Sequence, residues 1–159
     1  MTKLEEEFIH FVSCIDCLNR VWQLINKIKA EQNNPLVGYA FRFALVEYAK
    51  PYNDSRGNIK RIHKLDTSFI PPDFLSLHTQ IVNSRNQIHA HSDLTVMGAQ
   101  LYIRETQGNR FTGIVQNVIT GTEEFRNIDK IQVLIERTLE KMYIKEKELE
   151  NALPNQLAS

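Results

Sequence analysis

The residues best suited to chemistry lie in one short stretch, 83–93, with the sequence NSRNQIHAHSD. It contains Arg85, which suits pairing with a carboxylate or a phosphate, and two histidines, His89 and His91, which titrate near neutral pH. Three interpretations are open for this stretch: a metal site, metal-independent cleavage of RNA, and a binding module without chemistry. The elements that position these residues help to decide among them.

The stretch falls at the C-terminal end of a predicted helix. Phe74, Ile81 and Ile88 mark the apolar face of that helix, and Arg85 falls on the same face. A guanidinium there needs a partner or a wet cleft, because burying it unpaired is costly. The residues leave a structural pair with a carboxylate and a phosphate-binding role equally open. A simpler alternative is that Arg85 and the histidines cap the helix end, where unpaired carbonyls favour cations.

A metal site is the first interpretation of the two histidines. His89, His91 and Asp93 resemble the start of the HxHxDH motif of metallo-β-lactamase-fold hydrolases. Leu94 stands where that motif has its next histidine, no histidine follows His91, and the chain is too short for that fold. On a regular helix, His89 and His91 also point about 200° apart. We therefore predict neither a metal nor another cofactor.

The same stretch resembles the HEPN superfamily (higher eukaryotes and prokaryotes nucleotide-binding domains). These domains are small helical bundles with an Arg, four to six intervening residues and then a His, and the Arg is commonly followed by a polar residue. Here five residues separate Arg85 from His91, and Asn86 follows the Arg. The AHSD sequence at 90–93 resembles the abortive-infection branch, where AH-x-D is frequent. The resemblance covers about residues 3–93 and the final helix.

The resemblance implies a metal-independent endoribonuclease of the toxin or abortive-infection type. Arg85 would hold the scissile phosphate, His91 would move protons so that the RNA's own 2′-hydroxyl attacks, and Asn86 would orient either group. His89, four residues after Arg85, is the alternative catalytic histidine. The resemblance also implies a homodimer that unites two motifs in one cleft, an RNA substrate and, for a toxin, an antitoxin protein.

Two other features bear on function. The segment 50–64 is locally basic, and its candidates for RNA binding are Lys60, Arg61 and Lys64, although a solvated loop is the alternative. Cys14 and Cys17 form a CxxC pair, but a zinc site needs two further ligands that are not evident, so we predict small core residues. The alternative to an enzyme is a non-catalytic HEPN-like module that binds a protein or RNA partner. Three predicted features suit it equally well: an apolar face along the helix over 3–30, a net charge of zero, and a β-hairpin at about 100–120.

Length, composition and charge limit the classes of protein to which this chain can belong. The chain has 159 residues, and we predict a single domain over 1–159. Nineteen basic residues balance nineteen acidic ones, which argues against coating nucleic acid or anionic lipid by bulk charge. No apolar run approaches the ~18 residues of a membrane span, and residues 1–7 lack the features of a signal peptide. We therefore expect a cytoplasmic protein with free thiols and no membrane contact.

The apolar spacing predicts the elements. Apolar residues alternately four and three apart predict a helix over 3–30, and further helices are predicted over about 35–48, from 73 to about 89 or 91, and over about 127–149. Residues 100–106 and 111–120 predict a β-hairpin around a turn at 107–110. The expected fold is mainly α: an antiparallel four-helix-type bundle with a small β-hairpin inserted at about 100–120.

Overall fold

The computed structural model describes residues 2–85, 98–116 and 123–154. In these ranges the chain is mainly helical, which confirms the predicted class, and its α-helices are α1 (Lys3–Ala30), α2 (Val37–Ala49), α3 (Leu75–Ser84) and α4 (Ile128–Ala152). Two antiparallel strand pairs accompany the helices, formed by β1 (Ser55–Arg56) with β2 (Ile62–His63) and by β3 (Gln100–Thr106) with β4 (Asn109–Val115). None of the described helices is long and apolar enough to cross a membrane.

The first helix has the predicted bounds. It begins with a capping box, in which the Glu5 backbone N–H donates to Thr2 Oγ1 at 3.3 Å and the Thr2 backbone N–H donates to Glu5 Oε2 at 2.6 Å. Its length is explained by its neighbours, because one face packs against both α2 and α4. The side chains on that face are almost completely buried, among them Leu18, Val21 and Ile25. Local capping and tertiary burial therefore specify the same helix.

Helices α1 and α4 run antiparallel. Near the middle of α1, the amide of Asn19 donates to the Tyr143 hydroxyl at 2.9 Å, and near its end Lys29 lies 2.5 Å from Asp129. The later residue of α1 thus contacts the earlier residue of α4. The N-terminal end of α1 consequently lies beside the C-terminal end of α4. The core between the helices includes fully buried residues of α4, namely Ile131, Leu134, Ile135 and Met142.

Several predicted boundaries are wrong by two or three residues, since α3 begins at Leu75 rather than at 73 and α4 ends at Ala152 rather than at 149. Helix α2 begins at Val37 rather than at Pro35, because Asn34 Oδ1 accepts a hydrogen bond from the Leu36 backbone N–H at 2.9 Å and closes a turn first. The hairpin turn is shorter than predicted, since residues 109 and 110 already belong to β4. Gln107 and Gly108 have φ of 50° and 78°, the left-handed pair of a two-residue hairpin turn. Predicted strand residues 117–120 lie outside the described ranges.

Helices α2 and α3 are joined by a buried polar contact. The Tyr48 hydroxyl lies 2.8 Å from His78 Nδ1, and the Tyr52 ring packs edge-on against the His78 ring at 4.4 Å between centroids. His78 is only 4% exposed. Burial lowers its pKa to about 4, so the imidazole is neutral at pH 7. This contact joins the first turn of α3 to the C-terminal end of α2.

Candidate functional site

Arg85 directly follows the last residue of α3. Its backbone N–H donates to the carbonyls of Ile81 and Val82, so the helical hydrogen bonding extends to it. Its side chain is half-buried, as expected for a cation on the apolar face of a helix near that helix's end. The other members of the predicted motif, Asn86, His89 and His91, lie outside the described residues.

The structure brings a buried carboxylate to the same end of α3. Glu124 is 3% exposed, and its Oε1 accepts a hydrogen bond at 2.7 Å from the hydroxyl of Ser84, the residue before Arg85. Glu124 lies in a short 3-10 turn, Glu123–Asn127, that leads into α4. Sequence spacing gives no signal for Glu124, because forty positions separate it from Ser84. A structural role of Arg85 requires a carboxylate partner. The position of Glu124 places a carboxylate beside the C-terminal end of α3.

The basic segment lies elsewhere in the fold. Arg61 and Lys64 line a cavity of about 400 Å³, together with Lys3 from α1 and Lys145 from α4. Lys60 does not line this cavity; it has a φ of 59° and donates its backbone N–H to the Gly57 carbonyl at 3.3 Å in the turn between β1 and β2. Of the three predicted RNA-binding residues, the structure therefore brings two together and adds two lysines from distant positions.

Two histidines with no assigned role meet at this cavity. The rings of His10 and His63 stack with 5.0 Å between centroids, and both residues line the cavity. His63 Nε2 lies 3.3 Å from Oε2 of Glu6, a 4%-exposed carboxylate whose Oε1 accepts the Ile59 backbone N–H at 3.1 Å. Burial lowers the pKa of His10, and the charge of His63 lowers it further. Sequence spacing gives no signal for this cluster, because His63 lies more than fifty positions from both Glu6 and His10.

The carboxylate of Glu6 remains charged in this environment. Burial by itself would raise the pKa of Glu6, but the hydrogen bonds from Ile59 and His63 outweigh burial and hold that pKa below its usual value. Glu6 is absent from the cavity lining, whereas His63 is present. A buried negative charge thus lies against one histidine of the cavity without lining the cavity itself.

Gly57 packs against this pair, and we predict that adding a methyl group there destabilises it. A Cβ on Gly57 would lie 2.7 Å from His63 Nε2 and closer still to Glu6 Oε1. We expect Gly57→Ala to lower the free energy of unfolding by about 1–3 kcal/mol, the usual cost of overpacking. Urea denaturation measures the change, with Gly113→Ala as the matched control, since nothing lies within 4 Å of a Cβ there. Equal stability of the two variants would contradict the tight packing at Gly57.

The two cysteines are buried free thiols in the core, as predicted. Burial, and secondarily the charge of Cys17, raises the pKa of Cys14 to about 12, so its thiol stays protonated. Cys17 Sγ donates to the Glu47 carbonyl at 3.2 Å. Within the described ranges, no cluster of three His, Cys, Asp or Glu side chains could hold a metal ion.

The Arg85 end and the basic cavity are far apart. Ser84 contacts Glu124 just before α4 begins at Ile128, whereas the cavity is lined by Lys145 and Leu149 near the end of that helix. Seventeen residues separate Ile128 from Lys145, which corresponds to about 26 Å along a helix axis. The structure therefore does not gather Arg85 and the basic segment into one site.

No protein-family model, no curated protein and no solved structure matches the chain.

Proposed function

We propose that the protein is a metal-independent endoribonuclease whose site is built around Arg85. The observation behind this proposal is the placement of Arg85, half-buried at the end of α3 and beside an element that contributes the buried Glu124. A half-buried guanidinium beside a buried carboxylate suits a cation that is kept in place while part of its surface stays accessible to a phosphate. The mainly helical fold and the 28-residue α1 agree with the HEPN resemblance of the sequence.

The mechanism follows from the residue types in the motif. His91, as a neutral imidazole, takes the proton of the RNA 2′-hydroxyl, and the oxygen attacks the adjacent phosphorus. The bond to the 5′-oxygen breaks, and that oxygen receives a proton, which leaves a 2′,3′-cyclic phosphate and a 5′-hydroxyl. Arg85 stabilises the charge that develops on the phosphate, and Asn86 orients either group. His89 is the alternative proton carrier.

We also propose that the helices form an antiparallel four-helix-type bundle and that the protein is a homodimer in the cytoplasm. A dimer brings two copies of the motif into one cleft, so that one copy can supply the base and the other the acid. A single protomer has a mass of 18.5 kDa, and light scattering after gel filtration should therefore give twice that value. For a toxin, the physiological partner is an antitoxin protein that covers this cleft.

Cleavage of end-labelled RNA in the presence of EDTA tests the proposed activity. We expect the wild-type protein to cleave RNA while leaving DNA of the same sequence intact, because the attacking 2′-hydroxyl is missing from DNA. The cleaved 5′ fragments should end in a cyclic phosphate. Equal cleavage of RNA and DNA, or activity that EDTA abolishes, would rule out the proposed chemistry.

A second candidate function is a non-catalytic HEPN-like module that binds a protein or RNA partner. The β3–β4 hairpin favours it, since every residue of both strands is exposed. Large apolar side chains are among them, including Leu101 at 66% and Ile114 at 71%, which pair across the strands. Apolar groups on both strands of an uncovered ribbon suit contact with another molecule. Such a module binds its partner equally well with and without His91 and cleaves nothing.

A further inference from the structure

The cavity at the far end of the molecule combines features that the proposed ribonuclease site does not use. It lies where three parts of the chain meet: the first turns of α1, the segment 61–69 that includes β2, and the last turns of α4. We infer that this cavity binds a phosphomonoester on a nucleoside, either a free mononucleotide or the phosphorylated end of an RNA. This inference goes beyond the proposed activity and does not depend on it.

The charge of the cavity favours an anion. Its lining has four basic side chains against two acidic ones, Glu7 and Asp66, a surplus of two positive charges in a chain whose formal net charge is zero. One of the acidic groups is already engaged, because Asp66 Oδ1 accepts the Ser68 backbone N–H at 2.6 Å. A surplus of two matches the double charge of a phosphomonoester, and lysine and arginine are its usual partners.

The cationic groups are available to a ligand. Lys3, Arg61 and Lys64 are exposed at their positions, and their convergence is not explained by packing. Lys145 pairs with Glu148 at 2.9 Å, but both side chains are about half exposed, and a pair of that kind contributes little. A phosphate can therefore replace that contact at low cost.

The remaining lining suits the nucleoside part of the ligand. Apolar side chains contribute as well as charged ones, and Phe69 stands half-buried at the cavity and packs on the buried Phe11 with 5.4 Å between ring centroids. Aromatic faces of this kind stack with bases. The volume of about 400 Å³ lies within the ~300–1,000 Å³ typical of small-molecule sites.

The stacked histidines provide hydrogen bonds to the same ligand. His10 and His63 both line the cavity, and Nε2 of His63 lies 3.3 Å from Oε2 of the buried Glu6, which does not line it. An imidazole held in this way has a fixed orientation, as for a histidine oriented by a carboxylate in other sites. Its ring nitrogens can form hydrogen bonds with a phosphate oxygen or a ribose hydroxyl.

Isothermal titration calorimetry on the full chain tests the inference with defined probes: adenosine 5′-monophosphate, inorganic phosphate, adenosine, and an RNA oligonucleotide with a 5′-phosphate or a 5′-hydroxyl. We expect adenosine monophosphate to bind, and adenosine to bind at least about tenfold more weakly, since a charge-assisted hydrogen bond is worth about that factor. A clear preference for the phosphorylated RNA over adenosine monophosphate identifies an RNA end, and equal affinities identify the mononucleotide. Equal binding of adenosine and its monophosphate, or no binding of any probe, overturns the inference.

A matched pair of double variants locates the binding. Arg61→Gln with Lys145→Gln removes two charges from the cavity lining, whereas Arg56→Gln with Lys147→Gln removes the same charges from residues that do not line it. We expect the first pair to weaken binding of adenosine monophosphate about tenfold or more, and the second to change it less than twofold. Equal effects of the two pairs would show that binding reflects overall charge and not this cavity.

Nuclear magnetic resonance supplies a readout on the wild-type protein. Adding adenosine monophosphate should shift the ring resonances of His10 and His63 while leaving those of the buried His78 in place. Binding should also survive in His91→Ala, so that failure of the ribonuclease proposal and failure of this inference are separate results. A shift of His78 alone, with His10 and His63 unmoved, would contradict the cavity assignment.

Discussion

Replacement of His91 by alanine should slow RNA cleavage by about 10²- to 10⁴-fold, which is the contribution expected of a general acid–base group. The effect should appear in the rate of the chemical step under single-turnover conditions. Binding of the RNA should change little, because His91 acts on a proton and Arg85 supplies the charge that meets the phosphate. Gel electrophoresis of end-labelled RNA resolves rates over this range.

Two comparison variants make this result specific. His89→Ala removes the alternative histidine, and we expect it to cleave RNA at nearly the wild-type rate. Arg85→Lys keeps the positive charge but loses the planar fork of the guanidinium, so it should lose rate even though its net charge is unchanged. Each variant should first be shown to unfold at the same temperature as the wild type, since Arg85 is half-buried in the structure.

The outcomes separate the remaining alternatives. A large loss in His89→Ala with an active His91→Ala would exchange the roles of the two histidines. Full activity in both variants would exclude the motif as the site of proton transfer. An Arg85→Ala variant that is unfolded, combined with a folded and fully active Arg85→Lys, would assign Arg85 to a structural ion pair.

The protein should also lose stability as the pH falls below neutral, and the residue responsible is His78. This histidine is 4% exposed and contacts Tyr48 at 2.8 Å, between α2 and α3. Burial lowers its pKa from 6.5 to about 4 in the folded protein. Burial also raises the pKa of Tyr48 well above its usual value, so this tyrosine does not titrate in the acid range. A proton on His78 would therefore enter a site that offers it no negative charge among these contacts.

The sign of the effect follows from which state binds the proton. Below pH 6.5 the unfolded chain protonates His78, whereas the folded protein does not do so until about pH 4. The free energy of unfolding should thus fall as the pH decreases from 6.5 towards 4. The loss contributed by His78 approaches about 3 kcal/mol near pH 4, from about 1.4 kcal/mol for each unit of pKa difference.

Urea denaturation at several pH values between 7 and 4.5 measures this loss, with His78→Gln as the comparison. Glutamine keeps a hydrogen-bonding group beside Tyr48 but has no proton to gain. The variant should therefore lose less stability than the wild type over this range. Contributions from His10, Glu6 and Asp66, whose pKa values are also lowered, occur in both proteins and cancel in the difference. Parallel pH profiles of the two proteins would contradict a buried, neutral His78.

The elements of this protein were largely determined by local sequence. The spacing of apolar residues in α1 and α4 predicted both helices, because the side chains that repeat every three or four positions must share one face. The hairpin followed from β-branched and aromatic residues around Gln107-Gly108. Residue types alone leave the start of α2 open, because it depends on the turn that the Asn34 side chain closes ahead of the helix.

The grouping of side chains was decided only by the tertiary structure. Glu6 and Ile59 are fifty-three positions apart, and Ser84 and Glu124 are forty apart, yet both pairs are joined by hydrogen bonds. Such contacts depend on how the helices pack, and packing is set by the summed burial of many side chains and not by any spacing in the sequence. For the same reason, the sequence indicated a basic segment and an Arg85 motif, whereas only the tertiary structure shows that the basic cavity and Arg85 itself lie near opposite ends of α4.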